Sequence, residues 1–236
     1  MVGRLHRYVV APIRDFIFPP VCLTCDERLH EDGDLICRSC WSLLNACRIG
    51  FASRPDTPRV FVEEGIIKDF ISCYYFETDS KLQDLIHLLK YQGFKSIGRV
   101  LGREVGKKIL LDPLLAGADR LIPVPLHKVR QRDRGYNQSD FICRGISDVT
   151  HIPVDTLVIV RRKNTQSQTQ LNMNERKENV QDAFKIKAGA EGNVAGKTFI
   201  LVDDVITTGS TIAACARELQ AHGATAVMAG SLALAS

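Results

Sequence analysis

Long apolar stretches are missing from this chain of 236 residues. Its longest nearly uncharged apolar run, Ala226 to Ala235 (AVMAGSLALA), falls far short of the roughly 20 residues a membrane-spanning helix needs, so no span is expected. The opening stretch, MVGRLHRYVVAPIRDFIFPP, is basic and amphipathic but lacks an unbroken apolar core and a small-residue cleavage site. A secretory signal is therefore not expected, and a cytoplasmic location is. Internal repeats and low-complexity tracts are also lacking, which argues against a solenoid or a disordered tail. Net charge is slight, at +4, and says little unless the charges cluster.

They do cluster. Lys128, Arg130, Arg132 and Arg134 occupy every second position, and Arg161, Arg162 and Lys163 are consecutive. Patches of this kind attract phosphates, on a small ligand or on a nucleic acid, and a solvated surface loop is the alternative. Hydrophobic content of 45% and charged content of 25% fit an ordinary folded chain, long enough for one substantial α/β domain and a small accessory unit.

Eight cysteines are many for a cytoplasmic chain. Four are grouped as Cys22-Leu-Thr-Cys25 and Cys37-Arg-Ser-Cys40, two knuckles separated by a stretch with the turn signal Asp32-Gly33-Asp34. A short hairpin there brings the knuckles together. Four thiolates at about 2.3 Å complete a tetrahedral Zn²⁺ shell, which makes such a site structural. Two disulfides are the alternative, disfavoured in a reducing compartment. Cys143 and Cys215 fall in helix-like apolar patterns and are expected in the core, while Cys47 and Cys73 have no partner at ligand spacing and receive no role.

Turn formers in FASRPDTPR mark a boundary near residue 58. The expected division is a zinc-ribbon module over 1–58 and an α/β domain over 59–236. Strands are expected over Ile66–Glu77, Leu121–Val124, Val154–Val160, Thr198–Val202 and Thr225–Leu234. Helices are expected from Asp79 or Ser80 to Gly93, over Ser96–Leu111, over Ser139–Val149 and over Ser210–His222. Residues 161–179 form a long polar segment of the functional or mobile kind. The alternation argues for a parallel sheet covered by helices on both faces.

The chemistry concentrates in ILVDDVITTGST, residues 200 to 211. An apolar strand leads to Asp203 and Asp204, then to Thr207, Thr208, Gly209, Ser210 and Thr211 at a helix start. Backbone N–H groups there, with hydroxyls and an unobstructed glycine, make an anion site at the carboxyl end of a strand. Two carboxylates would repel a phosphate at contact, so they face another part of the ligand. An ionised carboxylate only accepts hydrogen bonds, and a ribose diol offers two donors. A phosphate on the loop and a diol on the carboxylates describe a ribose 5-phosphate. No GK[ST] or G-x-G-x-x-G is present to support a nucleoside triphosphate or dinucleotide loop. A tight turn capped by Thr and Ser is the bland alternative and accounts for neither aspartate.

This loop resembles that of the type I phosphoribosyltransferases, in which an apolar strand, two acidic residues and a T-T-G-S/T-T-like turn bind phosphoribosyl pyrophosphate (PRPP). More narrowly, the chain is similar to the ComF family, named for its link to competence and DNA uptake. IHLLKYQG at 86–93, IPVPLH at 122–127, RGYNQS at 134–139 and TQSQTQLNMNERKENVQDAF at 165–184 resemble family segments in order, and the cysteine knuckles extend the likeness to nearly the whole chain. The resemblance implies an α/β fold, a type I phosphoribosyltransferase-like parallel sheet flanked by helices with a small N-terminal zinc-ribbon module. It implies PRPP binding at Asp203, Asp204 and Thr207 to Thr211, and a pyrophosphate loop at Pro125, Leu126 and His127. A mobile loop would cover 161–179, with Arg161, Arg162 and Lys163 as candidates for neutralising the leaving group. Mg²⁺ with the PRPP and one structural zinc are the implied cofactors, since Cys47 lacks the partner that a double ribbon would need. No glutaminase half is present in the chain, so ammonia transfer from glutamine is not expected.

The implied reaction displaces pyrophosphate from C1 of PRPP by an unnamed acceptor. A PRPP or nucleotide sensor without turnover, and a competence factor that handles single-stranded DNA, are the alternatives. For DNA, Lys128, Arg130, Arg132 and Arg134 on an extended segment would share one side, with Tyr136 as a stacking surface. Single-stranded DNA, a competence helicase and a homodimer partner complete the partners under this reading.

Overall fold

The structure, a computed structural model, describes residues 20–29, 35–44, 57–161 and 183–235. In chain order the described elements are α1 (Arg38–Ser42), α2 (Arg59–Glu64), β1 (Phe70–Phe76), α3 (Lys81–Tyr91), α4 (Lys95–Ile109), α5 (Pro113–Ala116) and β2 (Arg120–Pro123). They continue with α6 (Lys128–Arg134), α7 (Gln138–Thr150), β3 (Ile159–Arg161), β4 (Phe184–Ile186), β5 (Thr198–Ile206), α8 (Ser210–Ala221) and β6 (Ala226–Ala235).

Four strands form one sheet in the order β1-β6-β5-β2, and every pairing in it is parallel. Phe199, Ile200, Leu201 and Val202 of β5 are each 0% exposed, as a central strand with both faces covered requires. Period-two alternation divides them between two cores. Ile200 and Val202 pack with residues of α3, α4 and α7, whereas Phe199 and Leu201 pack with residues of α2 and α8 and with the antiparallel pair β3–β4. The first core extends into the cysteine region, where Cys22, Leu29, Ile36 and Cys40 join Leu82, Leu85 and Leu89.

Helix α3 follows from its sequence. The Ser80 hydroxyl caps it by accepting from Gln83 N, and Leu82, Leu85, Ile86 and Leu89 form its buried stripe. Helices α4 and α7 cross so closely that glycine is needed at the contact. A Cβ on Gly102 would lie 2.3 Å from the Ile142 carbonyl oxygen, and one on Gly145 would lie 2.2 Å from that of Arg99. Beside the crossing, Arg99 grips Asp148 through two hydrogen bonds of 2.6 Å.

Several expected boundaries shift. Strand β1 starts at Phe70 rather than Ile66, because the Asp69 carboxylate takes the Phe70 N–H and Gln220 takes the Ile66 carbonyl. The strand expected over Val154–Val160 reduces to one bridge, Val154 to Leu121, and then β3. Between them Asp155 accepts from Leu157 N in a local side-chain turn that breaks the extended run. Strand β5 runs four residues past Val202, so Asp203 and Asp204 lie within the strand and not after it. Cys143, Cys215 and Cys73 are all buried. Cys47, the Asp32 to Asp34 turn, Arg162, Lys163 and nearly all of the 161–179 segment lie outside the described residues.

Candidate functional site: an acidic pair, a phosphate loop and a cysteine cluster

Strand β2 ends at Pro123, opposite Val202 of β5. From Asp203 onward, β5 keeps β6 on one side, with Asp203 opposite Ser231, and faces the exit from β2 on the other. Pro125, Leu126 and His127 occupy that exit, held near the sheet by Asn137, whose Nδ2 donates to the Val124 carbonyl at 3.0 Å. Successive strand side chains diverge, and the two carboxylates accordingly find different partners. Asp204, 5% exposed, meets Lys90 Nζ at 2.7 Å through Oδ2, and its Oδ1 accepts from Val205 N. The Ser139 hydroxyl donates to Asp203 Oδ1 at 3.3 Å, and Asp204 N donates to the same oxygen. Desolvation and then the neighbouring Asp204 charge push the Asp203 carboxyl up to about 7, against the opposing pull of the Asp204 N–H, Lys90 and Ser139.

The loop after β5 carries the residues Thr207 to Thr211 into α8. Gly209 sits at φ +76 as the residue preceding α8, and no side chain caps that helix. The start of α8 borders a small cavity lined by Asp203, Thr207, Thr208, Ser210 and Thr211, and the Thr208 hydroxyl accepts from Ser210 N at 3.4 Å. Thr208 and Ser210 hydroxyls lie 2.8 Å apart at its mouth. Gly209 is not unobstructed, contrary to the sequence-based expectation. A Cβ there would lie 2.7 Å from Phe61 Cε1 and 3.0 Å from both Pro58 Cβ and Val60 Cγ1, so its bare side faces apolar groups of α2 and the residue before it.

The basic segment also differs from expectation. Residues 128–134 form helix α6, so alternate positions do not share a side. At about 100° per residue, Arg130 and Arg134 form one pair and Lys128 and Arg132 another on the far side. Tyr136 offers no stacking surface. It is 8% exposed, its hydroxyl donates to the Leu89 carbonyl, and Phe141 meets its ring edge-on. The exposed ring nearby is Tyr91, 64% exposed, with the Arg134 guanidinium 4.9 Å above it. Arg161 ends β3 with its guanidinium 5.2 Å over Phe184. Burial first and the Arg130 charge second lower its pKa, while Cys215 and then Asp203 oppose them. Sequence reasoning passed over Lys90. A lysine in the last turn of a helix is ordinarily read as a complement to the helix dipole, and only tertiary structure brings it to Asp204.

The second site is the cysteine cluster. The Sγ atoms of Cys22, Cys25, Cys37 and Cys40 all lie within 4.8 Å of one another, and Cys25 and Cys37 are 3.7 Å apart. Four ligands at about 2.3 Å from a tetrahedral ion stand about 3.8 Å apart, so the donor set fits such an ion. All the described cysteines are free, which leaves no disulfide among them. N–H groups of Cys37 and Cys40 donate to the sulfurs of Cys22 and Cys37, the usual support for thiolate charge. Burial opposes ionisation of Cys22, but the Thr24 hydroxyl and the N–H groups of Cys37 and Thr24 outweigh it and bring the thiol down to about 6.

Residues 139–235 match the phosphoribosyl transferase domain family. Together with the parallel sheet and its flanking helices, this defines a type I phosphoribosyltransferase-like fold carrying a cysteine cluster near its N-terminus. The chain is 37% identical over 149 residues to the DNA utilization protein YhgH of Escherichia coli, covering 62% of this chain and 64% of that protein. It is 36% identical over 117 residues to Competence protein F of Haemophilus influenzae, covering 50% of this chain and 51% of that one. The chain thus spans less than two thirds of the length of these relatives. The solved glutamine PRPP amidotransferase of B. subtilis is similar over 61% of this chain and 30% of its own, with a TM-score of 0.42 and 20% identity. The chain is thus similar to the phosphoribosyl transferase domain family over 139–235 and to DNA utilization and competence proteins, Competence protein ComFC of Bacillus subtilis among them. No helix among the described residues is long and apolar enough to cross a membrane.

Proposed function

We propose that this chain binds PRPP at the end of β5 and transfers its phosphoribosyl group to an acceptor, releasing pyrophosphate. The observation that carries this reading is the juxtaposition of two carboxylates with an uncapped helix start on one short stretch, Asp203 to Ser210. The α8 N–H groups, with Thr207, Thr208, Ser210 and Thr211, hold the 5′-phosphate. Asp203 and Asp204 accept from the ribose diol, and as C1 loses its leaving group they face the positive charge that spreads over the ring. Pro125, Leu126 and His127 border the pyrophosphate, and Arg161 with its neighbours Arg162 and Lys163 neutralises it. Carboxylate oxygens are the right donors for a hard cation, so Asp203 and Asp204 suit Mg²⁺ reached through water; that ion would neutralise the departing pyrophosphate.

The four cysteines take zinc as a structural ion in this account, with 1–58 as its module and 59–236 as the transferase-like domain. Free thiols among the described cysteines support a reducing, cytoplasmic setting. The names of the relatives, a DNA utilization protein and a competence protein, bring a role with DNA into the same proposal. Lys128, Arg130 and Arg132 are exposed on α6 for a phosphate backbone. A screen of bases, amines and oligonucleotides for pyrophosphate release from PRPP and Mg²⁺ tests the transfer. Release with at least one acceptor supports turnover; binding without release for any acceptor supports the sensing alternative.

A further inference from the structure

A cavity of about 430 Å³ opens beside the acidic pair, between the last turn of α3 and the length of α6. Lys90, Arg130 and Arg134 line it against a single carboxylate, Asp133, so its walls carry two net positive charges. Arg134 is fixed in place, donating to Gln138 Oε1 at 2.9 Å and to the Tyr91 hydroxyl at 3.3 Å while stacking over that ring. Arg130 follows one helical turn earlier on the same side. This is a preformed cationic wall with a planar aromatic edge.

Lys90 borders both this cavity and the acidic pair. Its ammonium stands 2.7 Å from Oδ2 of Asp204, one of the two carboxylates assigned above to the ribose diol. A diol settling there weakens the hold of Asp204 on Lys90 and turns that charge toward Arg130 and Arg134. Three cations then face one carboxylate, with Lys90 released from its own counter-charge. We propose that this cavity is the subsite of the second reactant, an acidic small molecule presenting a carboxylate or phosphate, and that Lys90 is the cation shared between that anion and Asp204. The proposal rests on the ribose-phosphate reading of β5 and adds the chemical class of the acceptor.

The leaving pyrophosphate is the competing occupant, and placement argues against it. Pro125 to His127 lie at the start of α6, whereas Arg130 and Arg134 lie about 4.5 and 10 Å farther along the axis at 1.5 Å per residue. A shared cation also makes a specific demand. Filling the ribose site must strengthen anion binding in the cavity, and the reverse must hold to the same factor.

The test is calorimetric. Inorganic phosphate and benzoate, one for each kind of oxyanion, are titrated into the full chain, alone and saturated with PRPP and Mg²⁺. At least one should bind the PRPP-loaded protein about fivefold or more tightly than the empty protein, in the range of ordinary coupling between sites. Arg130→Gln should abolish that enhancement while still binding PRPP, and Lys90→Met should abolish it at PRPP concentrations raised to saturate that variant. Arg130 is exposed, so the first variant folds even if the second is weakened by leaving Asp204 unpaired. Competition between PRPP and both anions assigns the cavity to the leaving group and overturns the proposal, as does equal affinity with and without PRPP. Enhancement that survives in both variants overturns the role of Lys90 and the cavity. Failure of PRPP to bind, seen before any anion is added, overturns the ribose-phosphate reading and this proposal with it.

Discussion

Replacing Gly209 with valine should destabilise the whole fold, not merely block a ligand. Two costs add at this position. Its φ of +76 is left-handed, which costs an L-residue about 1–2 kcal/mol. The new Cβ would also come within 2.7 Å of Phe61 Cε1, and Phe61 is 1% exposed, so the ring has no open space into which it can retreat. Overpacking of that kind costs about 1–3 kcal/mol. Helix α2 cannot slide away cheaply either, because Glu64 pairs with Arg217 of α8 and Gln220 holds the Ile66 carbonyl. The sum is about 2–5 kcal/mol, to be read from urea unfolding midpoints at unchanged slope. Adding Phe61→Ala to Gly209→Ala should recover part of the clash and none of the backbone strain, so the two substitutions should be non-additive. A Gly209→Val protein as stable as the parent, with only its ligand affinity lost, would refute this account of the loop.

Three further outcomes follow from the geometry. Freshly purified, reduced protein should carry one zinc per chain, and Cys37→Ser should lose the metal and destabilise the region around residues 20–44, because metal binding and folding are coupled; protein without metal by elemental analysis would contradict this. Asp203, raised to about 7, should make PRPP binding weaken as pH falls from 8 to 6, since the diol needs the ionised form. The unliganded protein should gain stability from the same group over that window, because the folded state binds the proton first, and Asp203→Asn should flatten both trends. Neutralising Arg130 and Arg132 together should lower the salt slope of single-stranded DNA binding by roughly 0.7 per lost phosphate contact; an unchanged slope removes α6 from any DNA contact.

The sheet and its main helices were legible because their signals are local. Ser80 with Leu82, Leu85, Ile86 and Leu89 announces α3, and the apolar run Phe199 to Val202 announces the centre of the sheet. Extension of β5 through Asp203 and Asp204 was hidden, since two carboxylates in succession read as a loop until β6 is there to pair with them. Helix α6 was hidden for a different reason. Its seven residues have no buried member and hence no apolar stripe to reveal the period. Tyr136 read as a surface ring because nothing nearby in sequence shows that Leu89, 47 positions away, takes its hydroxyl. The cysteine knuckles were legible down to single residues, since their short spacing is what brings the four sulfurs together. Lys90 and the α2 contact with Gly209 depend on long-range packing and were not.

The ribose-phosphate assignment meets its most direct test in a calorimetric titration of PRPP with Mg²⁺ into the parent chain and into Asp203→Asn/Asp204→Asn. The parent should bind, and the double variant should stay folded, with an intact cooperative unfolding transition, while losing about 1.5–3 kcal/mol of affinity for each charged hydrogen bond removed. Equal PRPP affinity in the two proteins would contradict the assignment.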